Sequence, residues 1–395
     1  MTQPNALTAG TGGRVLTNVG VWSPDSAWVA YDTRSDAAGD HFDGTRIEAI
    51  NVHSREVRTL SESRNGACCG VVTWHPTVMR VAFILGPEHP TTDWSYGPAR
   101  RQGVTVDFDR PGMATPLDAR DLTGATPGAL RGGSHVHIWH PRGEIVSFTY
   151  EDAVTNDGIR TVGVSLCGRP VTVPQTHPRN HDGSAFSVRV PDVTANPRPG
   201  SDDVCRACEE GWIGSTRSLA FQGTVVTADG RRVPEVFAVE VPDDVSGPPA
   251  RPVGVNQRRL TRGGVGGPRH WVRSNPAGTH IGFLRPDAAG VVQFWTVTPG
   301  GTSAQATRLT DGVASAFTWH PDGRRVAFVA GGRVVLCDTA TGGVQPLTPT
   351  CHPDHAPRPE ACVVSPDGRR VAFVRRLPDD AGGLSNQVCV AEVPS

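Results

Sequence analysis

Short apolar, β-rich runs recur along the chain and are separated by polar turns. Trp22 lies in VWSPDSAWVAYDT, Trp74 in VVTWHPTVMRVAFIL, Trp139 in VHIWHPRGEIVSFTY and Trp319 in AFTWHPDGRRVAFVA. Cys362 opens CVVSPDGRRVAFVRR, and Trp271 opens a weaker copy, WVRSNPAGTHIGFLR. Each copy places a Pro-Asp-Gly-like turn between two apolar runs. Proline pre-sets φ at the first turn position and Asp-Gly supplies the reversal, so the unit is a β-hairpin. Further strand-like runs follow, among them RIEAINV, GVTVDF, VVQFWTV, RVVLCDT and QVCVAEV. Four strands per unit, repeated radially, describe a propeller blade.

The turn prolines are Pro24, Pro76, Pro141, Pro276, Pro321 and Pro366, and the last three stand 45 residues apart. That spacing suits a blade of about 40–50 residues. The wide gap after Pro141 must hold at least one degenerate blade. SAFSVRVPDVT, from Ser184, is expected to be its hairpin, with FQGTVV and VPEVFAVEV as outer strands. Residues 194–212 are then expected to be a loop or short helix inserted in blade four. The expected fold is all-β, a seven-bladed β-propeller in one domain spanning 1–395, with six blades as the alternative.

Composition supports this and removes other classes. With 46 Gly and 34 Pro in 395 residues, long helices are interrupted throughout. The net charge of −1 offers no electrostatic case for nucleic acid or an anionic membrane. All 38 basic residues are arginine, which excludes lysine Schiff bases, pyridoxal phosphate attachment and a Walker-type lysine. The leading MTQPNALTAG has no basic then apolar leader pattern, so a cytoplasmic location is expected. The nine cysteines are irregularly spaced, and most are expected to be small buried hydrophobes.

The repeats resemble the WD40-like repeat of TolB-type propellers, whose mark is an SPDG turn before an apolar strand. GVVTWHP from Gly70, LRGGSHVHIWHPRGEIVSFTY from Leu130, PGSDD with EEGW, and RHWVRSNPAG from Arg269 resemble a bacterial family of TolB-like propellers of unknown function. A more distant likeness is to oligogalacturonate lyases, seven-bladed propellers that hold an axial divalent metal through several histidines. Here His135 and His137 form an HxH pair at a comparable place.

The repeat also orders candidate site residues. Six residues before each turn proline stand Asn18, Gly70, His135, His270, Ser315 and Glu360. Equivalent positions in radial units form a ring, and two histidines with a glutamate suit Mn, Fe or Zn. His137, two residues on, is expected on the same side as His135. The expected metal ligands are His135, His137, His177 and His270, with His177 or Glu360 completing the shell. Arg269 and Arg131 are expected to grip a carboxylate, and Glu209, with Glu210, to supply an acid or base. The expected activity is metal-dependent elimination or epimerisation of an anionic, sugar-like or polyol metabolite. The alternative is a non-catalytic scaffold that binds a protein or small ligand. The histidines of the WHP turns, His75, His140 and His320, are expected to be structural.

Overall fold

A computed structural model describes residues 5–246, 252–262, 269–302, 304–307 and 312–394. The chain is a seven-bladed β-propeller: among the described residues there is almost no helix, and seven four-stranded antiparallel sheets follow one another in sequence. Blade one runs from Gly13–Val15 to Val57–Glu62, and blade two from Cys69–Trp74 to Thr115–Pro116. Blade three comprises Gly132–Trp139, Ile145–Asp152, Arg160–Val171 and Gly183–Arg189. Blade four comprises Arg206–Trp212, Ser218–Val226, Arg232–Glu240 and Val255–Arg259. Blade five begins at Arg269–Ser274 and blade six at Thr318–Trp319. Blade seven joins Pro357–Val364, Arg370–Pro378 and Leu384–Glu392 to an N-terminal strand, Asn5–Ala6, paired with Leu384–Glu392.

Blade four differs from expectation. The Ser184 run is the outermost strand of blade three, where Gly163–Cys167 pairs with Ala185–Arg189. Part of the expected insertion, Arg206–Trp212, is the first strand of blade four. Its turn reads GST instead of Pro-Asp-Gly, which hid it. Packing reveals it instead. One place in every second strand holds a fully buried aromatic: Tyr31, Phe83, Phe148, Phe221, Phe283, Phe328 and Phe373. A large ring at each repeat fills the space between neighbouring sheets.

The chain divides into two compact units. One spans Met1–Asp93, Thr105–Ala114 and Thr307–Ser395, and the other Trp94–Val104 and Thr115–Ala306. In the first unit, the Trp22 indole donates to the Val363 carbonyl at 2.9 Å. In the second, Trp212 does the same to Ile138 at 3.0 Å. These repeat tryptophans therefore tie one blade to the first strand of the blade before it. The WHP histidines are structural as well. His75 Nδ1 accepts the Thr77 and Val78 amides, each at 3.1 Å. His320 accepts the Asp322 amide at 3.2 Å and donates from Nε2 to the Gly368 carbonyl at 3.0 Å.

The first strands of blades two, three and four share an irregularity. Pairing slips between Gly70 and Thr73, between His135 and Ile138, and between Cys208 and Gly211. Within each slip one residue is left-handed: Val71 at φ 59°, Val136 at 53° and Glu209 at 57°. Each is a β-bulge, which re-aims the side chains after it.

Candidate functional site

The bulge in blade three decides where its histidines go. His135 pairs with Thr149 and Ile138 with Ser147, so Val136 and His137 together face the single residue Phe148. Strict alternation fails there, and the two imidazoles do not share one side of the strand as an unbroken strand would require. His137 is fully buried, its ring centroid 6.2 Å from that of Phe148.

A short polar chain holds His137. Its Nε2 lies 3.1 Å from Ser134 Oγ, and that hydroxyl donates to Asp118 Oδ1 at 3.0 Å. Asp118 Oδ1 also accepts the Gly103 amide at 2.8 Å. A hydroxyl has one proton, and it is directed at the carboxylate. His137 therefore donates from Nε2. Burial, then the charge of Arg101, hold its pKa down at about 3. Burial pushes Asp118 up to about 6, against the pull of Arg120. The position of Gly103 admits no side chain, since a Cβ there would stand 2.3 Å from His137 Nε2.

His135 is nearly buried, and its Nδ1 has no hydrogen-bond partner among the described residues. Burial, then Arg101 and Arg160, hold its pKa well below the usual histidine value. Arg101 is buried and donates to the Tyr96 hydroxyl at 3.4 Å, while its Nε is unpartnered among the described residues. Arg160 donates to Glu151 at 2.6 Å.

Glu210 joins this cluster through Thr149, the residue paired with His135. Thr149 Oγ1 donates to Glu210 Oε2 at 3.0 Å, and Oε1 has no partner among the described residues. Full burial pushes the Glu210 carboxyl up to about 7, against the pull of Thr149 and Arg273. Arg273 Nη1 donates to the Glu210 carbonyl at 2.8 Å, and burial lowers its own pKa to about 10. Glu209, in the bulge, accepts from Gln222 at 2.8 Å, and burial raises its carboxyl too.

The other sequence candidates have partners of their own or lie beyond the described side chains. Arg131 is held by Asp152 at 2.7 Å. His177 Nδ1 accepts the Arg179 amide at 3.1 Å, and its ring faces Trp94 at 6.4 Å. Glu360 belongs to the first unit, 44% exposed and 3.0 Å from Arg358. Arg269 and His270 lie in the first strand of blade five, but their side chains fall outside the described residues. Among the described residues no group of three His, Cys, Asp or Glu side chains is placed to hold a metal ion. Arg101, Asp118, Arg120 and Ser134 escaped the sequence argument because they carry no repeat signature. Glu210 could have been placed by aligning Trp212 with Trp139.

Residues 68–181 match the family model described as Protein of unknown function (DUF3748). The Escherichia coli (strain K12) protein YidR is 42% identical over 389 residues, covering 91% of this chain and 92% of the relative. The solved oligogalacturonate lyase from Vibrio parahaemolyticus superposes with a TM-score of 0.56 at 10% identity, covering 99% of this chain and 93% of that one. A TolB-type structure from Agrobacterium tumefaciens gives 0.48 at 16% identity, covering 89% and 99%. No helix among the described residues is long and apolar enough to cross a membrane.

Proposed function

We propose a function for this chain, which belongs to the DUF3748 family and is a homologue of YidR: acid–base chemistry on a small anionic metabolite of sugar-acid or polyol type. One observation carries this reading. His135 Nδ1, Arg101 Nε, Asp118 Oδ2 and Glu210 Oε1 are buried polar atoms of one unit, and none has a hydrogen-bond partner among the described residues. Folded proteins rarely leave such atoms unsatisfied, and clusters of them mark places where a ligand completes the bonding.

The chemistry follows from charge. Arg101 and Arg160, both felt by His135, suit a carboxylate. A guanidinium on that carboxylate stabilises the negative charge that develops when the α-proton leaves. Glu210, with a carboxyl near 7, is poised to take that proton and return it. Return to the other face is epimerisation; loss of the β-hydroxyl as water, which takes up the proton that Glu210 removed, is elimination. The likeness to an oligogalacturonate lyase supports the fold and agrees with this class of reaction.

A divalent ion, Mn, Fe or Zn, is the finer part of this reading. His135 offers an unpartnered ring nitrogen, but further ligands would have to include groups such as His270 beyond the described side chains.

Proton exchange tests the reading. Uronates and aldonates incubated with the protein in deuterium oxide should lose their α-proton signal in NMR spectra. Glu210→Gln should slow that exchange by about 100-fold or more. Metal analysis of the same preparation, with His135→Ala beside it, decides the ion. Binding of these acids without exchange would instead favour a non-catalytic propeller platform; neither binding nor exchange would overturn the reading.

A further inference from the structure

A cavity of about 260 Å³ lies at one end of blade one, within the first unit. Strand pairing builds it: Gly13 stands opposite Arg34 and Arg14 opposite Thr33, and the start of Arg46–Asn51 lines it as well. Backbones meet closely there, since a Cβ on Gly44 would stand 1.9 Å from the Thr33 carbonyl oxygen. The wall carries three arginines, Arg14, Arg34 and Arg46, with Thr11, Thr45 and one carboxylate, Asp43, among the other lining residues.

Two of these arginines already have a carboxylate. Arg34 pairs with the buried Asp32, and Arg46 with Glu48 at 3.4 Å. Arg14 forms no ion pair among the described residues. Its Nη1 donates to the carbonyls of Gly10, Thr11 and Gly12 at 2.9, 2.8 and 2.8 Å. Those bonds pin the guanidinium, yet Nε, which is buried, and Nη2 have no hydrogen-bond partner among the described residues. Asp380, beyond Gly10, makes neither a hydrogen bond nor an ion pair with Arg14. Nε and Nη2 form the edge that takes a carboxylate through two parallel hydrogen bonds, and a fork already held in place loses little freedom in doing so. Thr11 and Thr45 are exposed, and their hydroxyls also lack a partner among the described residues. Asp43 accepts the Ser35 amide at 3.1 Å and the Ser35 hydroxyl. A carboxylate only accepts, so Asp43 suits a further donor and repels a doubly charged anion.

We propose that this cavity binds a small hydroxylated monocarboxylate. Arg14 takes the carboxylate on its Nε–Nη2 edge, while hydroxyls of the ligand donate to Asp43 and exchange hydrogen bonds with Thr11 and Thr45. Asp43 sets the specificity, because it accepts from a hydroxyl and disfavours a phosphate dianion. The volume suits a ligand below the drug-sized range, whose pockets begin at about 300 Å³. His135 and Glu210 belong to the other unit, and this site does not depend on the acid–base reading.

Titration calorimetry of the full chain with D-gluconate is the test. Gluconate should bind, and sorbitol, which keeps the hydroxyls but lacks the carboxylate, should bind about tenfold more weakly or worse. Arg14→Lys keeps the charge but not the fork, and should weaken gluconate by about tenfold. Inorganic phosphate should bind less well than gluconate, and Asp43→Asn should tighten phosphate by about fivefold. His135→Ala should leave the gluconate affinity unchanged. No wild-type binding, equal binding of sorbitol, or unaltered affinity in a folded Arg14→Lys protein overturns the site. Should Arg14→Lys fail to fold, a phosphate affinity unmoved by Asp43→Asn overturns it instead. Loss of gluconate binding in a folded His135→Ala protein also overturns it, because the acid would then sit in the acid–base cluster. Failure of α-proton exchange, with these affinities intact, removes the acid–base reading alone.

Discussion

Glu210 is the residue whose burial has the clearest consequence in solution. Its carboxyl titrates at about 7 instead of 4.5, so the folded protein holds that proton more tightly than the unfolded chain does. The resulting stability is complete below the unfolded pKa and is lost as pH rises through about 7, a change of about 3 kcal/mol. Asp118, raised to about 6, acts in the same direction over a lower range. Glu210→Gln resembles the protonated carboxyl. Urea unfolding should find it close to wild type at acid pH, more stable than wild type at pH 8, and flatter between the two. A wild-type slope retained in the variant would assign the titration elsewhere. Gly103 gives a steric counterpart. A methyl group there meets His137 Nε2 at 2.3 Å and Asp118 Oδ1 at 2.7 Å. Gly103→Ala should cost about 1–3 kcal/mol in thermal or denaturant unfolding. An unchanged melting temperature would mean that this corner has room to move.

At the scale of the element, the hairpin matters less than the aromatic it carries. Phe221 is fully buried beside Phe237, the ring centroids 5.6 Å apart. Phe221→Ala should destabilise the protein by about 3–5 kcal/mol, the same range expected for Phe148→Ala in blade three. A cost near zero would show that the second strand of blade four contributes little to the core. Trp212→Phe keeps the ring but deletes its hydrogen bond to Ile138, and about 1 kcal/mol should be lost. Blade four was illegible as a hairpin because its turn lacks proline and Asp-Gly. Its tryptophan and phenylalanine still stand at the repeat positions, so packing was conserved within the chain where turn chemistry was not. The bulges were illegible for a different reason. Nothing in GVVTW, HVHIW or EEGW marks an extra residue, since Val71, Val136 and Glu209 all hold positive φ without glycine.

For the whole molecule, the N-terminal strand is the informative element. Asn5 and Ala6 pair with Val390 and Cys389, and the Leu7 amide donates to the Val388 carbonyl at 2.7 Å. Leu7 is buried in a cluster with Val388 and Val390, and that burial alone contributes about 2 kcal/mol. Removing residues 1–8 should therefore lower the melting temperature clearly in calorimetry, through loss of the fourth strand of blade seven. An unchanged transition would mean that this pairing contributes nothing to stability.

Turn chemistry and repeat spacing determined by themselves that this chain is a propeller of hairpin-built blades, because a Pro-Asp-Gly reversal and a β-rich strand are local events. They also singled out His135 and His137. Only the tertiary structure decided that a bulge parts those two imidazoles, that burial and the charge of Arg101 hold His137 neutral, and that Glu210 lies buried against Thr149. Those outcomes depend on which side chains meet across strands far apart in sequence. A one-residue slip in pairing reverses the side a residue faces, and burial then sets its charge.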